Sequence, residues 1–174
     1  MSSPRERIMD TASLLFRQQG YNRTGINQII SEANVAKASF YQHFKSKDEL
    51  CVAFLKARHE YWFSELMKYV SKSKTTKKRI FNAFDFIRYM NEIEDFRGCS
   101  FLNILSEISK EQDAILSVIK KHKNDLRKFF EKELGEEQLS AHIYLLFESS
   151  ITESQLFNSN ELVERSKKIV NNLI

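Results

Sequence analysis

Five hydrogen-bonding side chains lie close together in one short stretch of the chain: Lys37, Ser39, Tyr41, Gln42 and His43. Phe40 and Phe44 are four residues apart, so on a helix they share one face and leave the polar side chains on the other. Cationic, amide and hydroxyl groups on a helix are the groups that contact base edges and phosphates in the DNA major groove. The pattern therefore predicts a helix from about Ala36 to Phe44 whose phenylalanine face is buried and whose polar face binds DNA.

A second short helix precedes it. Ile26, Ile29, Ile30 and Ala33 recur at helical spacing and predict one apolar face. Asn34 ends this helix, because asparagine tolerates the left-handed conformation that a sharp turn between helices needs. The two helices and their turn form a helix-turn-helix. The alternative is a helical hairpin in an all-α protein of another kind.

The charge of the chain is concentrated in this region. The formal net charge of the whole chain is only +4. Residues 22–47 contain four basic residues, Arg23, Lys37, Lys45 and Lys47, and a single acidic residue, Glu32. A local positive field of this kind favours binding to the phosphate backbone. We interpret a second basic run, residues 72–79, as a solvated loop between helices.

The elements that must position these residues are all predicted to be helices. The chain has one proline and four glycines, and it lacks the alternating pattern of strands. Capping boxes at Ser3–Glu6 and Ser46–Glu49 begin the first helix and a long fourth helix. The first helix is predicted to end near Gly20 and the fourth near Tyr69. Five further helices are predicted over about Thr76 to Glu94, Phe101 to Ser109, Gln112 to Leu134, Glu137 to Phe157, and Asn160 to the C-terminus. The expected fold class is all-α, with about nine to ten helices.

The sequence offers no catalytic constellation and no metal site. Its four histidines, His43, His59, His122 and His142, are far apart and lack metal-ligand spacing. Cys51 and Cys99 do not form a disulfide framework, and we interpret Cys99 as a structural apolar residue rather than a redox sensor. No apolar run approaches the length of a membrane span. We expect a cytoplasmic protein that is not an enzyme and needs no cofactor.

Three sequence runs resemble one family. SFYQHFKSKDEL is similar to the recognition helix and the start of the fourth helix of the TetR/AcrR family of transcriptional regulators, and TGINQII is similar to the start of its second helix. RGCSFLNILSE resembles a recurring element of its regulatory domains. Asn34 and Ala36 depart from the glycine and serine common in the family. The resemblance implies a DNA-binding domain at residues 1–47 and a regulatory, ligand-binding and dimerisation domain at residues 48–174.

The resemblance also implies roles for individual residues. Tyr41, His43 and Lys47 match phosphate-binding positions, with Thr24 assisting, and Lys37, Ser39 and Gln42 are then expected to face base edges. The implied function is a ligand-responsive regulator, a repressor in the first instance, that binds a palindromic operator in double-stranded DNA as a homodimer. The alternatives are a helical ligand-binding or adaptor protein that retains the helix-turn-helix as scaffold and, less consistent with the residues, an all-α enzyme.

Two further sites follow from the resemblance and from the many aromatic residues. We expect an apolar pocket for a small-molecule effector, lined by Trp62, Leu66, Phe84, Met90, Phe101, Asn103, Tyr144 and Phe147. We expect the last long helices to form the dimer interface through Ile119, His122, Leu126, Phe129, Ile143, Ser150, Ile151 and Ser154.

Overall fold

The computed structural model describes residues 2–174. These residues form nine helices and no strand. The helices are α1 (Pro4–Gln19), α2 (Ile26–Glu32), α3 (Lys37–His43), α4 (Lys47–Val70), α5 (Thr76–Ile93), α6 (Ser100–Leu105), α7 (Asp113–Leu134), α8 (Glu137–Phe157) and α9 (Glu161–Leu173). None of the helices in the described range is both long enough and apolar enough to cross a membrane.

The chain divides into two compact units. One contains residues 1–59 and 100–121, and the other contains residues 60–99 and 122–174. The helix-turn-helix therefore shares its unit with α6 and the first part of α7. The boundary predicted at residue 47 separates a DNA-binding from a regulatory function, whereas the two compact units are separated by their contacts. The functional boundary stays a prediction.

The first unit is built on the apolar face of α1. Ile8, Ala12 and Leu15 are buried on this face, as their spacing predicts. The ring of Phe16 packs against those of Tyr21 and Phe54, with both centroid separations at 5.6 Å. The three-helix module predicted from the sequence is thus confirmed as all-helical, and Phe54 of α4 contributes to its core.

The second unit has an aromatic core, which we define as Trp62, Phe84, Phe86, Phe130 and Phe147. Trp62 and Phe86 lie 5.0 Å apart between ring centroids, and Phe147 lies 5.2 Å from Phe130. Most of these pairs meet edge to face, which is the arrangement that the quadrupoles of aromatic rings favour. Aliphatic side chains from α4, α5, α7, α8 and α9 complete this core.

The capping signals are only partly correct. Ser3 and Glu6 form the predicted capping box, with Glu6 N–H donating to Ser3 Oγ at 3.2 Å. Ser46 accepts from Glu49 N–H at 3.1 Å, whereas the Glu49 carboxylate accepts from Lys45 N–H at 2.8 Å, one residue before the expected donor.

Asn160 begins α9 as predicted, but its side chain does not cap that helix. Asn160 Oδ1 instead accepts a hydrogen bond from Asn91 Nδ2 at 2.8 Å. Ser159 Oγ accepts from the Glu161 N–H at 3.1 Å in its place. Asparagine was correctly associated with the helix start, but a buried partner on α5 takes its side-chain oxygen.

Candidate nucleic-acid interface

The turn between α2 and α3 sets the direction of the candidate recognition helix. Asn34 adopts the predicted left-handed conformation, with φ of 49°. Val35 N–H then donates to the Ile30 carbonyl at 3.2 Å, which closes the end of α2. Ala36 begins α3 without a side-chain cap, as its residue type predicts. A tight turn with a single left-handed residue therefore separates the two helices.

Helix α3 presents its polar face to solvent. Phe40 and Phe44 are buried, with ring centroids 6.2 Å apart, and they anchor the helix from behind. On the other side the predicted contact residues are Lys37, Tyr41 and Gln42, which are exposed, and Ser39 and His43, which are half-buried. The helix is thus able to enter a groove with its hydrogen-bonding groups forward.

Arg7 on α1 holds the end of α2 in place. Its Nε donates to the Ala33 carbonyl at 3.1 Å, and Nη2 donates to the Asn34 carbonyl at 3.3 Å. These are carbonyls that the end of a helix leaves without intrahelical partners. Arg7 therefore links α1 to the turn on which the orientation of α3 depends. No local sequence pattern indicates this role, because Arg7 and its two partners lie 26 and 27 positions apart.

Two basic residues flank α3. Arg5 lies over the ring of Phe44 at 5.3 Å, which brings the start of α1 beside the end of the candidate recognition helix. Lys47 Nζ donates to the Tyr21 carbonyl at 3.1 Å and lies 4.2 Å above the Tyr21 ring centroid. An ammonium group carries three donors, so this bond leaves others for a phosphate.

Thr24 does not fit the role expected of it. Its side chain is fully buried, and Oγ1 donates to the Gly20 carbonyl at 2.6 Å. Its N–H donates to the Tyr21 carbonyl at 3.2 Å. The residue stabilises the turn before α2 from inside, its side chain has no exposed surface for DNA, and the expected contact stays a prediction.

Comparisons with known proteins agree with this geometry. Residues 8–54 match the family model of bacterial regulatory proteins of the tetR family. Residues 8–54 are thus TetR-like in sequence. The helix-turn-helix formed by α2 and α3 lies entirely within this match.

Known regulators of the helix-turn-helix type match the chain to different extents. It is 28% identical to the negative transcriptional regulator IcaR of the biofilm operon icaADBC in Staphylococcus aureus, across 94% of this chain and 90% of IcaR. It is 49% identical to the regulator YxaF of Bacillus subtilis, across 28% of this chain and 26% of YxaF. The chain spans 66% of the length of a Lactococcus lactis relative and 26%, 25% and 31% of three Bacillus subtilis relatives.

The fold is also found in solved TetR-family structures. A regulator from Streptomyces coelicolor has a TM-score of 0.85 at 23% identity, and the match covers 98% of this chain and 93% of that one. This likeness concerns the fold, since identity at that level does not transfer ligands or operators.

The residues predicted to line an effector pocket are divided between the two compact units. Phe101 and Asn103 belong to the first compact unit, whereas Trp62, Leu66, Phe84, Met90, Tyr144 and Phe147 belong to the second. Phe147 lies 6.2 Å from Trp62 and 5.5 Å from Phe84 between ring centroids. These rings pack directly against one another. Tyr144 lines a surface groove of about 260 Å³ with Arg127 and Leu145.

The predicted dimer-interface residues are almost all in the core. Ile119, His122, Leu126, Phe129, Ile143, Ser150 and Ser154 are buried within one chain, and Ile151 is half-buried. The buried side chains among them already pack inside one chain and leave little surface for a second copy, so the interface stays a prediction. Sequence periodicity identifies the apolar face of a helix, but it does not distinguish a face that packs within the chain from one that packs against a second copy.

Proposed function

We propose that this protein is a ligand-responsive transcriptional repressor that binds a palindromic operator as a homodimer. The observation that supports it most is the α3 surface, where Lys37, Tyr41 and Gln42 are exposed above the buried Phe40 and Phe44. Lys47, at the start of α4, supplies a cation beside this surface. The relationship to IcaR, a negative regulator, favours repression.

The roles of these side chains follow from their chemistry. Lys37, Ser39 and Gln42 contact base edges, since amide and ammonium groups match the donor and acceptor pattern of the major groove. Tyr41, His43 and Lys47 contact phosphates and fix the register of the helix. Arg5, which lies over Phe44, is added to this phosphate-binding set.

A stripe on α8 replaces the predicted dimer interface. It consists of exposed apolar and small residues: Ala141, Leu145, Ser149, Thr152 and Leu156. Their spacing of three or four places them on one helix face. Leu145 is 62% exposed and Leu156 is 70% exposed, which is costly for large apolar side chains in water. A second copy that packs against this stripe by two-fold symmetry buries both leucines.

The effector site is proposed around the aromatic core of the second unit. Trp62 contacts Phe63, Phe86, Phe147 and His122 through its ring. If these rings separate, a flat apolar or aromatic molecule is able to insert between them. Its own contacts with the rings then offset the free energy of the ring-to-ring contacts that are lost. Binding to the conformation with separated rings then shifts the population away from the DNA-binding state.

DNA binding is tested by fluorescence anisotropy with duplexes from the region upstream of the gene. We expect nanomolar affinity for one duplex and a steep decrease in affinity with salt, since phosphate contacts release counterions. An equal affinity for every duplex of the same length would contradict sequence-specific regulation.

A further inference from the structure

The turn between α6 and α7 contacts the turn between α1 and α2. We define the α6–α7 turn as residues 106–112 and the α1–α2 turn as residues 20–25. Asn22 N–H donates to Glu107 Oε2 at 2.6 Å, and Asn22 Nδ2 donates to the Glu107 carbonyl at 2.7 Å. The backbone N–H and the side-chain NH₂ of Asn22 thus both donate to one residue that lies 85 positions later in the chain.

Gly20 makes this close approach possible. Its φ is +93°, a conformation that residues with a Cβ rarely adopt. A Cβ added at this position would lie 2.6 Å from Glu107 Oε1. The glycine predicted to end α1 therefore has a second purpose, which is to leave room for the Glu107 carboxylate.

Gln112 makes a second connection to the same region. Its Nε2 donates to Asp48 Oδ2 at 3.0 Å and to the Tyr21 hydroxyl at 3.1 Å. The Tyr21 hydroxyl donates to Asp48 Oδ1. Gln112 Oε1 accepts from Ser109 N–H at 3.0 Å, so the amide is held on both sides. Burial and the Asp48 carboxylate raise the pKa of Tyr21 above its usual range, so the phenol remains a donor.

These bonds lead to Lys47. The carbonyl of Tyr21 accepts from Lys47 Nζ, and its ring lies under the same ammonium group. Asp48, which Gln112 also contacts, is the next residue of α4. The position of Lys47 therefore depends on Tyr21 and Asp48, and the positions of those two depend on Gln112.

We infer that Glu107 and Gln112 are positioning residues for DNA binding, although they lie far outside the helix-turn-helix in sequence. They hold the α1–α2 turn and the first residues of α4 so that the Lys47 ammonium points to its phosphate. The inference rests on the proposed function, since it assigns a control point to the same DNA-binding surface. Because hydrogen bonds weaken steeply with distance and angle, a small displacement of the α6–α7 turn is enough to release Lys47.

The test is a double-mutant cycle measured by anisotropy on a duplex that the wild-type protein selects from a random pool. Gln112→Ala and Lys47→Ala are each expected to lower affinity about three- to tenfold, which is the range for loss of one ordinary hydrogen bond. The double variant is expected to lose little more than Lys47→Ala alone, and Gln112→Ala alone is expected to flatten the salt dependence as Lys47→Ala does. A loss of structure alone would not produce this shared salt signature.

Matched variants separate positioning from general stability. Glu107→Ala is expected to weaken DNA binding, whereas Glu107→Gln, which keeps an acceptor oxygen for Asn22, is expected to recover most of the affinity. Glu111→Ala is the control, because Glu111 is exposed and its carboxylate accepts from Ser109 Oγ inside the same turn. Circular dichroism at 222 nm verifies that each variant remains helical.

The outcomes distinguish the inference from the proposed function. Wild-type affinity in Gln112→Ala, or additive losses in the cycle, would overturn the inference while Lys47→Ala still showed that the surface binds DNA. Failure of the wild type to select any duplex would overturn the proposed function and the inference with it. If Gln112→Ala does not fold, the contrast between Glu107→Ala and Glu107→Gln decides, and equal affinities of those two variants would overturn the inference.

Discussion

At the residue scale, two neighbouring side chains are expected to make different contributions to DNA binding. Gln42 is exposed on α3, and Gln42→Ala is expected to relax preference at one base position without changing the salt slope. Lys47→Ala is expected to weaken binding to all sequences and to flatten the slope of log K against log salt by ~1 unit. Anisotropy titrations at several salt concentrations with single-base variants of the operator measure both. An identical, sequence-independent loss in the two variants would refute this division of roles.

Cys51 provides a second prediction at this scale. Burial first, and then the Asp48 carboxylate, raise the pKa of the Cys51 thiol to about 12, from 9.0. The folded state therefore binds this proton more tightly than the unfolded state. The resulting stability is fully present below pH 9.0 and is lost as pH rises toward 12. Urea unfolding between those pH values should show a decrease in wild type that is smaller in Cys51→Ala, and equal decreases would contradict the assignment.

At the element scale, α7 and α8 are joined by a half-buried ion pair. Lys123 Nζ lies 2.5 Å from Glu148 Oε2, with side-chain exposures of 13% and 16%. Removing one partner leaves a largely shielded charge without its counter-ion, so Lys123→Met and Glu148→Leu are each expected to lower the free energy of unfolding by ~1–3 kcal/mol. The double variant is expected to recover most of that loss, since neither charge remains. Urea denaturation measures all three, and additive losses would contradict a direct pairing.

Helix positions were predictable from the sequence, but the partners of each helix face were not. The ends of α8 match the prediction, because Gly135 and the left-handed Asn158 interrupt the helical pattern on either side. The apolar face that contains Ile143 and Ser150 was assigned to a dimer, whereas it packs inside one chain. Local signals such as caps and breakers depend on a few adjacent residues. The contacts of Arg7, Glu107 and Gln112 join residues far apart in sequence, so no local sequence pattern indicates them.

At the scale of the whole molecule, dimerisation is expected to depend on the α8 stripe. Leu145→Glu places a charge in the proposed interface and is expected to yield monomers at micromolar concentration, with much weaker operator binding. Lys128→Glu is the control, because Lys128 is an exposed charged residue on α7 outside the stripe. Sedimentation velocity measures the outcome. A Leu145→Glu dimer as stable as the wild type would place the interface elsewhere.

Sequence-specific binding by two copies of α3 is the central claim, and selection of duplexes from a random pool tests it most directly. The wild-type protein should enrich an inverted repeat, with half-sites centred about one helical turn of DNA, ~34–36 Å, or a multiple of it apart. Gln42→Ala should enrich the same repeat with one position in each half-site relaxed. A selected pool without an inverted repeat, or one unchanged by Gln42→Ala, would contradict the account.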